Sequence, residues 1–133
     1  MIKLFIGSKG SGKTKTLIEL VNSAVESSKG NVVCIEKGDK LIHDITYKAR
    51  LIDTDAYSVA DAESLYGFIA GILASNADIT DIFVDSALKI VGNDVAAFEN
   101  MLKKLEKVTA DVNLVMTASI AVEECPDAIK AYA

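Results

Sequence analysis

The sequence predicts an α/β fold, a three-layer α/β/α sandwich around a mostly parallel sheet of about five strands. Short apolar runs alternate with segments that have apolar residues at helical spacing along all 133 residues, which is typical of strands joined by helices. The apolar runs lack clean alternation with polar residues, as expected for strands covered on both faces. No linker or internal repeat divides the chain, so we expect one domain over residues 1–133.

The N-terminal third is predicted to form two strands with a helix between them. The apolar run MIKLFI (1–6) is a buried strand, and the apolar spacing of 14–28 is that of a helix. NVVCIE (31–36) contains several β-branched residues and forms the second strand, followed by a turn at KGDK (37–40). The periodicity of 41–49 is weak, so a short helix and a hairpin arm both remain open there.

The central part is predicted to form a third strand and a second helix. RLIDT (50–54) is the strand. Ser58, with Asp61 three residues later, suits the N-cap of a helix. The helix itself follows as DAESLYGFIAGILAS (61–75), which has apolar residues at helical spacing.

The C-terminal part is predicted to add two strands and an amphipathic helix. The strand IFV lies within DITDIFVDS (78–86). The helix covers 93–109 and places residues 95, 98, 102, 105 and 108 on one stripe. DVNLVMTAS (111–119) is the last strand, and the tail 123–133 is short and polar at its start.

Composition and charge narrow the class of protein. No apolar run is long enough for a membrane helix, and the N-terminal run ends at Gly7, too early for a signal peptide. We therefore expect a cytoplasmic location without membrane insertion. The 19 acidic and 14 basic residues leave a net charge of −5, which argues against nucleic acid as a partner. The positive mean hydropathy of +0.29 favours a homo-oligomer or an unknown protein partner.

The stretch GSKGSGKT (7–14) matches the phosphate-loop pattern G-x-x-x-x-G-K-[ST], with an apolar strand before it and a helix after it. The glycines let successive backbone N–H groups turn towards phosphate oxygens, and the helix adds its unpaired N–H groups. We interpret Lys9 as a solvated lysine of this loop. The predicted nucleotide-binding residues are Gly7, Ser8, Lys9, Gly10, Ser11, Gly12, Lys13, Thr14 and Lys15.

The sequence also predicts a magnesium site. Thr14 ends the loop motif, and its hydroxyl is expected to bind Mg²⁺, while Lys13 reaches the outer phosphates. Asp85 follows the apolar strand within 78–86 and supplies the carboxylate that such sites use, usually through water. The expected cofactors are therefore ATP and Mg²⁺. ATP is preferred to GTP because the guanine-reading motif N-K-x-D is absent.

The order of these parts resembles the RecA-type ATPase core. In that family a strand and a helix separate the phosphate-loop unit from the acid-bearing strand, as residues 50–75 do here, and the acid is often followed by Ser, as in Asp85-Ser86. The resemblance implies a sheet with the phosphate-loop strand in the middle and the Asp85 strand close by. IKLFIGSKGSGKTKTLIELVN and LYGFIAGI are also similar to short clostridial-type P-loop proteins often labelled twitching-motility PilT-like.

The resemblance to RecA-type enzymes also suggests catalytic residues. Position 86 is Ser rather than the Glu that many ATPases place after the strand-end Asp. RecA-type enzymes take the general base from just beyond the strand after the phosphate-loop helix, where Glu36 and Asp39 are the candidates and Glu36 is preferred. At the end of the last strand, Thr117 is the preferred sensor of the outermost phosphate and Ser119 is the alternative.

A cation that stabilises the transferred phosphate is harder to assign. Arg50 is the only arginine, it begins a predicted strand, and we expect it in a surface salt bridge. Lys89, four residues after Asp85, is a possible substitute, and a partner could also supply the cation.

Two functions remain open at this point. The first is an ATP-binding protein with slow or partner-stimulated hydrolysis that acts as a switch or small motor. The second is a non-catalytic, nucleotide-dependent interaction module, favoured by Ser86 and the single arginine. A small-molecule kinase is less favoured, because such kinases need an arginine-rich lid that this chain lacks.

Overall fold

The computed structural model describes all 133 residues and contains one five-stranded sheet with five α-helices. The strands are β1 (Ile2–Gly7), β2 (Asn31–Glu36), β3 (Arg50–Asp53), β4 (Ile79–Val84) and β5 (Asn113–Ser119). The helices are α1 (Lys13–Ser27), α2 (Ala62–Ser75), α3 (Ala87–Ile90), α4 (Val95–Val108) and α5 (Asp127–Lys130). The predicted α/β class is confirmed, and so are the strand and helix expected over 50–75.

The sheet is parallel throughout, with the order β1-β5-β4-β2-β3. The expectation that the phosphate-loop strand lies in the middle is wrong, because β1 is an edge strand. The last strand, β5, pairs with β1 along its whole length, from Ile2 opposite Leu114 to Gly7 opposite Ser119, and so separates it from β4. On its other side β1 pairs with no strand, and the Leu4 N–H donates to the Tyr132 carbonyl at 2.8 Å.

Each face of the sheet has its own apolar core, because successive strand residues point to opposite faces. In β2, Val33 and Ile35 belong to a core of 23 buried residues, whereas Val32 and Cys34 belong to one of eight. The larger core contains the apolar sides of α2, α3 and α4, and the smaller core contains that of α1 with part of 41–49. The sheet therefore lies between two covering layers.

The cap of α2 differs from the prediction. Ser58 is not the N-cap; it ends a short 3₁₀ turn with a left-handed φ of 58°. Asp61 is the N-cap, since its carboxylate accepts from the Ser64 N–H at 2.8 Å while the Ser64 hydroxyl accepts from the Asp61 N–H at 3.2 Å. The capping box therefore lies three residues later than predicted.

Residues 41–49 form neither a helix nor a hairpin arm but a series of turns. The Asn22 side chain holds these turns against α1, because its amide donates to the Asp44 carbonyl and accepts from the Thr46 N–H, both at 3.0 Å. In α4 the predicted stripe is wrong at one end, since Val108 is 37% exposed and Met101 is buried instead. The helices α3 and α5 have four residues each, too few to show a periodic pattern.

None of the helices is both long enough and apolar enough to span a bilayer.

Candidate functional site

Four of the predicted site segments meet at one edge of the sheet, where the strands end. The loop 7–14 follows β1, Glu36 ends β2, Asp85 follows β4, and Thr117 lies near the end of β5. In open α/β sheets, ligands bind at this carboxyl edge. Here the segments surround a cavity of about 690 Å³.

The loop after β1 has a backbone that only glycine adopts readily. Gly10 and Gly12 have φ values of 86° and 88°, in the left-handed region. Gly12 is the N-cap of α1 and provides no side-chain cap, so the first-turn N–H groups of this 15-residue helix have no side-chain acceptor there. These N–H groups and the positive end of the helix dipole favour an anion at this position.

The Lys13 side chain lies over the loop that precedes it. Its ammonium donates to the Ser8 carbonyl at 2.9 Å and to the Ser11 hydroxyl at 3.2 Å. Burial lowers the pKa of this ammonium, and the negative charge of Asp85 opposes the shift. Lys13 is therefore a positive charge held at the mouth of the loop, near the carboxylate of Asp85.

Asp85 is at the centre of a small polar network. Its carboxylate accepts from the Thr14 hydroxyl at 3.1 Å and from the Thr117 hydroxyl at 2.8 Å. The Thr117 hydroxyl in turn accepts from the Ser86 N–H at 2.7 Å. Asp85 is 8% exposed and Thr117 only 1%, whereas Thr14 and Ser86 are half-buried, so the network runs from the interior to the cavity. Thr117 thus positions the Asp85 carboxylate. The sequence predicted Thr117 as a phosphate sensor and did not predict this contact.

The Glu36 side chain, predicted as the general base, is 3% exposed. Its carboxylate accepts from the Leu41 N–H at 3.1 Å and so closes the loop that follows β2. Burial raises the pKa of the Glu36 carboxyl, the N–H groups of Leu41 and Lys40 oppose this, and the charge of Asp85 adds to it. Glu36 lines the cavity while holding this loop in place.

The cavity brings together most of the predicted residues but not all of them. Its lining includes Lys9, Gly10, Gly12, Lys13, Thr14, Lys15, Glu36, Asp85, Thr117 and Ser119. Gly7, Ser8 and Ser11 belong to the same loop but do not line the cavity. Lys89, the possible substitute cation, lines the cavity. Arg50 does not, because it is the first residue of β3 and therefore lies where the strands begin, away from their carboxyl ends. The expected salt bridge of Arg50 is absent, since the two ion pairs join other residues.

The sequence interpretation missed several cavity residues, among them the two lysines Lys37 and Lys40. Both lie in the turn after β2, in which only Asp39 was considered, as the alternative general base. A usable signal was present, because a residue just after a parallel strand lies at the same edge of the sheet as the loop 7–14.

The polar groups fit a hydrated Mg²⁺ ion better than a dedicated metal cage. No three His, Cys, Asp or Glu side chains come together to hold a metal. Thr14 and Asp85, 3.1 Å apart, offer one hydroxyl and one carboxylate. This is the sparse oxygen set with which Mg²⁺ binds when water and phosphate supply its other ligands.

Neither a protein-family model nor a curated protein matches this chain. The interpretation of the site therefore depends on its geometry.

Proposed function

We propose that this protein binds a magnesium nucleoside triphosphate, with ATP as the expected nucleotide, and hydrolyses it slowly or when a partner stimulates it. One observation carries the proposal: the Thr14 hydroxyl and the Asp85 carboxylate, 71 residues apart in the chain, meet at 3.1 Å beside the loop 7–14. A hydroxyl and an acid in this relation to a glycine-rich loop are what Mg²⁺ and a phosphate chain need. The same arrangement supports the proposal of a P-loop core, whereas the edge position of β1 departs from the sheet order that the RecA-type resemblance implied.

Each part of the site has a definable role under this proposal. The first-turn N–H groups of α1 and the loop backbone would hold the phosphates, and the Lys13 ammonium would turn from Ser8 and Ser11 to the outer phosphates. Thr14 and Asp85 would hold Mg²⁺, which neutralises phosphate charge when bound. Thr117 keeps the Asp85 carboxylate oriented.

The alternative to hydrolysis is a non-catalytic, nucleotide-dependent interaction module. A specific observation favours that alternative: the Glu36 carboxylate is bonded to the Leu41 N–H. A general base must be within hydrogen-bonding reach of the water that it activates. Glu36 would have to leave Leu41, or accept a second hydrogen bond, to act as the base.

The first test is binding of Mg-ATP to purified protein, measured as thermal stabilisation over an ATP series. A ligand at a hundred times its Kd stabilises the folded state by about 2.7 kcal/mol. We expect this stabilisation in the wild type and its loss in Lys13→Ala. Lys48→Ala is the matched control, because Lys48 is an exposed lysine that does not line the cavity. An equal response of both variants would refute the proposed role of the loop.

Turnover then separates the two functions. Phosphate release would be measured over a protein concentration series, because a homo-oligomer with a shared site gains activity per chain as it assembles. Release that disappears in Lys13→Ala supports an ATPase. Binding with no release at any concentration supports the interaction module.

A further inference from the structure

The cavity contains far more positive charge than the rest of the chain would suggest. The whole chain has a net charge of −5, yet six lysines line this one cavity. They come from three parts of the chain, namely the phosphate loop with the start of α1, the loop after β2, and α3. The six are Lys9, Lys13, Lys15, Lys37, Lys40 and Lys89.

Little in the lining offsets this charge. The cavity has two carboxylates, Glu36 and Asp85, so the six lysines leave an excess of four positive charges. Lys37 also forms an ion pair with Asp55 at 2.6 Å, outside the lining. Clefts lined by one sign of charge concentrate ligands of the opposite sign, and a triphosphate chain carries several negative charges in a short length.

The same lining offers almost nothing to a nucleobase. Only Leu41 and Leu88 are apolar, and no aromatic side chain is present. Ligand cavities that recognise flat rings are lined mainly by apolar and aromatic side chains. Asn93 is the single amide that could bond a base edge.

We infer that this site recognises the magnesium-bound triphosphate chain and does not select the base, so that all four common nucleoside triphosphates are ligands. The inference rests on the proposed function and deepens it. Its physical basis is the lining itself, which has six cations, one of them paired with Asp55, and neither a stacking surface nor a set of amides for the base. The lysines of the loop after β2 and of α3 extend the phosphate-binding surface beyond the loop 7–14.

The test is calorimetric titration of the purified chain with the magnesium complexes of ATP, GTP, CTP, UTP and inorganic tripolyphosphate, with adenosine as the base-only probe. We expect the four nucleotide Kd values to agree within about fivefold, and tripolyphosphate to bind within about tenfold of them. A stacked base alone would add about five- to 150-fold in affinity. Adenosine should not bind.

Variants show whether the added lysines contribute. Lys40→Ala and Lys89→Ala should weaken all five phosphate ligands by the same factor, and Lys48→Ala should change none of them. ATP binding more than about 30-fold tighter than GTP, CTP and UTP would overturn base indifference while leaving the proposed function standing. Failure of every nucleotide and of tripolyphosphate to bind would overturn both.

Discussion

Three buried threonines allow the polar network around Asp85 to be tested with a single type of substitution. The Thr117 hydroxyl makes two hydrogen bonds, one to the Asp85 carboxylate and one from the Ser86 N–H. The Thr109 hydroxyl makes one, to the Leu105 carbonyl at 2.8 Å. The Thr54 hydroxyl is buried and has no partner. Replacement by Val keeps the side-chain shape and exchanges the hydroxyl for a methyl group, which cannot form a hydrogen bond.

The expected losses of stability follow from these contacts. Thr117→Val removes a hydrogen bond to a carboxylate and leaves the Ser86 N–H without an acceptor, so it should cost about 2–4 kcal/mol. Thr109→Val should cost only about 0.5–1 kcal/mol, because the Leu105 carbonyl still accepts from the Thr109 N–H. Thr54→Val should be neutral or stabilise by about 1 kcal/mol, since it removes a buried polar group without a partner.

Urea unfolding of the three variants, without ligand, measures the series. The expected order of destabilisation is Thr117→Val, then Thr109→Val, then Thr54→Val. All three side chains are at most 1% exposed, so differences in burial do not explain the order. A Thr54→Val variant that is less stable than Thr117→Val would refute the account of the network.

Three further predictions concern the loop, the acid at the end of β2 and the smaller core. Gly12→Ala should lower the free energy of unfolding in urea by about 1–2 kcal/mol, because Ala disfavours the left-handed backbone of Gly12. A steric clash does not contribute, since an added Cβ there meets no atom within 4 Å. An unchanged stability contradicts this prediction. Because the pKa of Glu36 is raised in the folded state, the wild type is most stable below the ordinary value of 4.5 and loses stability as the pH rises and the buried carboxyl ionises. Glu36→Gln keeps an acceptor for the Leu41 N–H but does not ionise. The free energy of unfolding of this variant, relative to that of the wild type, should therefore rise from pH 4 to pH 8. A pH-independent difference would argue against this. Burial raises the pKa of the Cys34 thiol to about 12, so maleimide should label Cys34 at pH 8 only after unfolding. Rapid labelling of Cys34 in a folded Cys125→Ser variant, which has no other thiol, is the contrary result.

Much of the fold could be predicted because the local patterns agree with the final structure. The β-branched run NVVCIE was predicted as a strand over the same six residues that β2 occupies. The meeting of Thr14 with Asp85 was implied by the predicted parallel sheet, in which both segments follow strands at one edge.

What could not be predicted depends on pairing between distant segments. No local pattern shows that β5 lies between β1 and β4, so the edge position of β1 was missed. The role of Thr117 depends on a hydrogen bond to a residue 32 positions away. The turns of 41–49 have no period of their own, since Asn22 on another element fixes them.

The unequal cores give the two sides of the sheet different resistance to local unfolding. The α1 side has eight buried apolar residues against 23 on the other side, so its amides should exchange with solvent sooner than those of α4. Lys13 and Thr14 are in the first turn of this same α1. A phosphate ligand that binds only the closed form would slow exchange most in α1 and in the turns packed on it. The ligand would then stabilise the α1 side of the sheet against local unfolding, and after the ligand dissociates this side would unfold locally before the other.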